Sequence, residues 1–109
     1  MKEYRIVLES QLGPRVGTLQ LEEKGEGAVT GSITLLGVEN AALGEWIGAR
    51  ALRLSHHLRT QVSDLECVSV FELDGDKISG TLQNDKNTMR WHGEKVAVRK
   101  GEEENKAGE

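Results

Sequence analysis

A chain of 109 residues has room for one domain around one core, and no apolar run in it approaches the roughly 18 residues that a membrane-spanning helix needs. With 37% hydrophobic and 29% charged residues it has the balance of a globular protein in water, and its net charge of −4 offers none of the basic surface that nucleic acid requires. A single cysteine, Cys67, excludes an internal disulfide and zinc-finger ligand sets.

Met1-Lys2-Glu3-Tyr4-Arg5 leads straight into an alternating segment without the features of a secretory leader, so a cytoplasmic location is expected. Tyr4, Ile6 and Leu8 fall on one face and Glu3, Arg5, Val7 and Glu9 on the other, the period of a half-buried strand. Gly13-Pro14 reads as the first turn. Leu19 and Leu21 alternate with Thr18, Gln20 and Glu22 in a second strand, and Lys24-Gly25-Glu26-Gly27 reverses the chain. Val29, Ile33 and Leu35 share one face of the third strand with Gly31. A loop is expected from Gly37 to Asn40, then a short strand from Ala41 to Ile47 that carries Trp46 and closes at Gly48.

Leu52, Leu54, His56 and Leu58 alternate along the fifth strand, and Cys67, Ser69, Phe71 and Leu73 along the sixth. Asp74-Gly75-Asp76 is a strong short hairpin signal. Ile78, Gly80 and Leu82 mark the seventh strand, Asn84 to Asn87 a turn, and Thr88 to about Val98 the eighth. No window forms a good amphipathic helix, and thirteen glycines disfavour one. The expected fold is therefore all-β: an antiparallel up-and-down meander closing into an eight-stranded barrel over residues 1–100. Residues 101–109, with Glu102, Glu103, Glu104 and Glu109 against Lys106, read as an acidic disordered tail.

Short matches suggest a two-unit internal repeat. Ser10-Gln11-Leu12 recurs as Thr60-Gln61-Val62, Val29-Thr30-Gly31-Ser32-Ile33 as Ile78-Ser79-Gly80-Thr81-Leu82, and Trp46-Ile47-Gly48 as Trp91-His92-Gly93. Each unit would be a four-stranded meander, and two of them close a sheet with no exposed edge. A barrel of this size either fills with side chains or holds one small ligand. Small inward residues, Gly31, Cys67, Ser69 and Gly80, favour a cavity.

The segment Asp74 to Leu82, its partner around Val29 to Leu35 and the opening from Leu8 to Gly17 resemble small lipocalin-like (calycin-type) barrels, in particular a group of uncharacterised bacterial proteins. The resemblance spans about residues 3–98 and implies a lipocalin- or streptavidin-like up-and-down barrel with a mainly apolar internal pocket. A lipocalin Gly-x-Trp signature is absent near the start, and no polar set matches the biotin-binding residues of streptavidin-like barrels.

Cys67 and His56 fall on inward faces and form the minimum for an activated thiolate, but a lone inward cysteine is usually a small buried hydrophobe, so no catalytic residue is assigned. His56, His57 and His92 are the only histidines, and adjacent strand residues point to opposite faces, so no metal site and no cofactor are expected. Trp46, His56, Phe71 and Trp91 are the candidate ligand-binding residues: aromatic walls around one imidazole that orients a polar end. The expected function is a binding module for a small apolar or amphipathic molecule. The alternative is a filled barrel that self-associates or meets a protein partner through outward apolar residues such as Val7, Val68 and Val70. Neither nucleic acid nor membrane is an expected partner.

Overall fold

A computed structural model describes residues 1–96. The expected acidic tail, and the continuation of the last strand to Val98, lie outside the described residues. Eight strands follow in order: β1 (Lys2–Ser10), β2 (Gly13–Gly25), β3 (Ala28–Leu35), β4 (Val38–Trp46), β5 (Ala51–Arg59), β6 (Asp64–Asp74), β7 (Lys77–Gln83) and β8 (Thr88–Lys95). Each pairs antiparallel with its neighbours, and β8 returns to β1, closing the barrel. This is the all-β up-and-down meander expected, an architecture compatible with a calycin-like fold.

Alternation places the core. Tyr4, Ile6 and Leu8 are buried while Glu3, Arg5 and Glu9 are exposed, and the same inward–outward period recurs along the other strands, interrupted by a register shift between Glu23 and Gly25 in β2 and by the burial of Ser32 beside Ile33 in β3. Ile6, Leu19, Ile33, Leu52, Leu54, Phe71 and Leu82 retain 0% of their accessible surface. A side chain bordering a water-sized space would keep some, so these seven are packed against one another on all sides.

The inward glycines correct the reading that small residues leave room. A Cβ built on Gly31 would lie 1.9 Å from the Gln20 carbonyl oxygen, and one on Gly80 2.0 Å from that of Val70. Their neighbours' backbones already occupy the side-chain positions, as they do at Gly17, Gly44 and Gly93. Glycine here lets strongly curved strands close in on each other. It leaves no space.

Several turns are tighter than the sequence suggests. Gly13 and Pro14 pair with Ser10 and Glu9 and open β2, so the reversal is Gln11-Leu12. The Ser10 hydroxyl donates to the Gly13 carbonyl (2.6 Å) and accepts from the Leu12 N–H (3.2 Å), fixing that turn. Thr60 plays the same part in the β5–β6 turn, accepting from the Val62 N–H at 3.2 Å. The expected loop from Gly37 to Asn40 shrinks to Leu36-Gly37, both at positive φ (52° and 81°), the signature of a primed two-residue hairpin turn. Asn40 is instead a buried staple: its amide donates to the Ile33 carbonyl (3.2 Å) and the Val38 carbonyl (3.3 Å), and its oxygen accepts from the Arg59 N–H (3.1 Å).

Several cross-strand pairs recur about fifty residues further along the chain. Ile6 faces Gly17 as His56 faces Cys67, Leu21 faces Gly31 as Phe71 faces Gly80, and Gly31 faces Ala42 as Gly80 faces Trp91. Trp91 thus holds the place of Ala42, so the expected equivalence of Trp46 and Trp91 fails. The seams differ too: Gly44 faces Leu54, whereas Gly93 faces Ile6 rather than Tyr4.

Gly31→Ala should lower the unfolding free energy by about 2 kcal/mol, since a methyl driven against a backbone carbonyl is overpacking. Gly48→Ala, whose Cβ would meet nothing nearer than Ala51 at 3.6 Å, should change it by less than about 0.5 kcal/mol. Urea denaturation of the two variants separates close approach from loss of glycine as such.

Candidate functional site

Three of the four expected site residues converge inside the barrel. Phe71 and Trp91 pack with ring centroids 5.6 Å apart and a 38° interplanar angle. They sit on β6 and β8 with Gly80 of β7 between them in the register, so a position without a Cβ lets the rings meet across an intervening strand. His56 joins them through Ser69. Its Nε2 lies 2.8 Å from the Ser69 Oγ, which also lies 2.9 Å from the Trp91 indole nitrogen. His56 pairs with Cys67 and Leu54 with Ser69, so the imidazole and the hydroxyl are diagonal neighbours on one face.

The hydrogen positions follow from donor chemistry. Trp91 Nε1–H can only donate, so Ser69 Oγ accepts it. His56 Nδ1, 3.1 Å from the His57 carbonyl oxygen, must carry a proton to bond there. The neutral ring then has a lone pair on Nε2, and the Ser69 hydroxyl donates to it. One chain runs from Trp91 to Ser69 to His56 to the His57 carbonyl, each buried polar atom satisfied. Burial holds the His56 pKa below the ordinary imidazole value; its bond to the His57 carbonyl pulls the other way, and the neighbouring His57 ring adds a small further lowering.

Hydroxyl-to-imidazole geometry of this kind prepares a serine for nucleophilic attack. Here Ser69 retains 0% of its surface beneath Trp91, so no substrate reaches it in this conformation. Cys67, directly opposite His56, has its thiol pKa raised by burial, an effect that contact with the Asn84 side chain partly offsets. That is the state of an unreactive core thiol. No group of three or more metal-ligating side chains comes together among the described residues.

Trp46 lies apart. It is half-buried at the rim formed with the N-terminal residues, beside a hollow of about 370 Å³ whose walls include Lys2, Leu21 and Val29, and the Lys2 ammonium stands 6.0 Å from its ring. The register row Trp46, Leu52, Phe71, Gly80, Trp91 is continuous, yet strands tilted in a barrel make such a row climb from one end toward the other. Ser69 and Asn40 are the residues that sequence reading passed over as site members. Inward placement of Ser69 was legible from the alternation; its contacts across β7 were not.

The larger hollows described lie where β6 and β7 part. One of about 660 Å³ opens across β4, β5 and β6, walled by Leu43, Ser55, Glu66 and Val68, bounded by Asn84 and Asp85, and reaching His56 and Cys67 between the strands. Leu43 is 64% exposed and Val68 40%. A second, of about 410 Å³, adjoins it between the β5–β6 hairpin and the β7–β8 turn, with Asp64, Leu65 and Lys86 in its walls. The chain matches no family model, no curated protein and no solved structure.

Stability should depend on His56 with a definite sign. The folded-state pKa is depressed, so as pH falls the unfolded chain takes the proton first and stability drops through the region below the ordinary value of 6.5. Above it the contribution is fully present. His56→Leu should flatten the pH dependence of urea midpoints between about pH 7 and 5.5, a window set by the ordinary imidazole value; an unchanged slope would assign the effect elsewhere. Ser69→Ala should cost about 2 kcal/mol at neutral pH, because it leaves the Trp91 N–H and the His56 Nε2 without partners.

Proposed function

We propose that this chain is a protein-interaction module: a filled barrel whose outer face across β4 to β7 meets a protein partner. The observation that carries this reading is the contrast between the two sides of the wall. Ile6, Leu19, Ile33, Leu52, Leu54, Phe71 and Leu82 on the inward side have no accessible surface, whereas Leu43 and Val68, in the outward row Leu43, Ser55, Val68, Gln83, present apolar groups to solvent beside the largest hollow described above. Sheet faces that need only be solvated carry polar groups at such positions.

A small apolar ligand held by His56, Phe71 and Trp91 would need those side chains to part, breaking a fully satisfied polar chain. Lipocalin-like kinship, with the bacterial group included, enters this reading as architecture alone, since the pocket that such kinship implies is the feature the packing argues against. Apolar side chains point inward and charged ones outward, the reverse of a lipid-spanning barrel. That supports an aqueous setting, with the cytoplasm as the proposed one.

Two measurements test the proposal. Titration with a panel of fatty acids and flat aromatics, followed by NMR, should leave the resonances of Ile6, Leu54, Phe71 and Trp91 unmoved; a saturable shift there would return the function to small-molecule binding. Leu43→Lys with Val68→Lys should keep the folded-state spectrum and reduce the binding of a hydrophobic-surface dye at least twofold. Sedimentation of both proteins over a range of concentrations reports whether the partner is a second copy.

A further inference from the structure

Barrel closure is uneven at the end where β5 and β6 meet. β5 and β6 stay paired to Arg59 and Asp64, but the β6–β7 ladder stops at Val68 and Gln83. There β7 turns away, held by Asn84, whose side-chain oxygen accepts from the Lys86 N–H (2.8 Å) and the Asn87 N–H (2.9 Å). Residues Asp64–Cys67 of β6 therefore have a neighbour on one side only among the described residues, and the other side faces the notch.

The corresponding overhang in the first half is Gly13–Val16 of β2, which pairs with β1 but not with β3. It carries Pro14, which has no N–H to offer, and Arg15, both common guards of an exposed edge. The splay between β4 and β5 is bridged by Asn40 through the Arg59 N–H. Asp64–Cys67 has neither proline nor staple. Its guards are carboxylates alone, and these discriminate by sign.

We propose that this notch receives an extended segment of a partner protein bearing alternating apolar and basic side chains, which adds to β6 as a strand. The proposal rests on the interaction reading above and names the partner's chemistry. Backbone groups of an unpaired edge supply the pairing, and four residues accommodate about 13 Å of strand. On a strand added there, the apolar side chains fall on the inward side with Leu65 and Cys67 and the basic ones on the outward side with Glu66. Glu66 and Asp85 form no ion pair among the described residues, whereas Asp64 is engaged by His57 (2.6 Å) and Arg59 (4.0 Å). Lys86 is the single cation beyond those two at the lip among the described residues. A basic segment finds two free carboxylates there; an acidic one is repelled.

The test uses the isotope-labelled full chain and two synthetic hexapeptides, acetyl-(Val-Lys)3-amide and acetyl-(Val-Glu)3-amide. The lysine peptide should shift the amides of Asp64 to Val68 and slow their hydrogen exchange, with an affinity at least tenfold above that of the glutamate peptide. Glu66→Gln with Asp85→Asn, which keeps size and polarity, should remove most of that difference. Equal affinity for the two peptides, or shifts confined to other strands, would overturn the proposal. Concentration-dependent changes at Asp64 to Val68 without peptide would make a second copy the occupant, which rejects this partner but keeps the interaction reading. Shifts at Phe71 and Trp91 with small ligands, in contrast, would sink that reading itself.

Discussion

Close approach of a strand backbone to an inward glycine is the constraint on which the rest of this barrel depends. An eight-stranded sheet that closes on itself must curve strongly, and where curvature is sharpest a side chain would collide with the next strand. At Gly31 and Gly80 the colliding atom is a backbone carbonyl, which cannot rotate away as the end of a flexible side chain could. The consequence reaches the core. Gly80 pairs with Phe71 on one side and Trp91 on the other, and with no side chain of its own between them the two rings meet across β7 with centroids 5.6 Å apart.

The polar chain within that core is best understood by comparison with its own other half. In matching register His56 corresponds to Ile6, Ser69 to Leu19 and Trp91 to Ala42, so the first half solves the same packing problem with apolar groups alone. Polar groups are thus not required by the geometry. Fully bonded, they hold β5, β6 and β8 in one arrangement, since any slip leaves a buried donor or acceptor unsatisfied. Their contribution is to uniqueness of the fold more than to its stability.

Strand number, order and facing are legible from alternation because period two is a direct consequence of the pleat. The turn at Asp74 to Lys77 was legible for a similar reason: Gly75, at φ 64°, adopts a conformation other residues avoid. Asn40 reads as loop in the sequence because a polar residue near glycine has the composition of a turn, and only the approach of Ile33 and Arg59 in three dimensions makes it a buried staple. Glycine at 31 and 80 reads as vacancy for the same cause. Sequence records that a side chain is missing, but not which neighbour has moved into its place. Trp46 and Trp91 share a short motif and a strand order, yet register, which motif matching does not see, separates them.

In a barrel packed in this way, the proposed recognition falls to features that the packing does not touch: outward rows and strand ends. The two halves end their even-numbered strands alike, each with an overhang past the next ladder. One overhang holds a proline and an arginine, the other a pair of acidic residues around Leu65 and Cys67. Proline closes an edge to every comer, because the missing N–H defeats pairing whatever the partner's side chains. Carboxylates close it only to acidic segments and leave it open to basic ones, and this difference between otherwise matching strand ends is what directs the functional reading to β6.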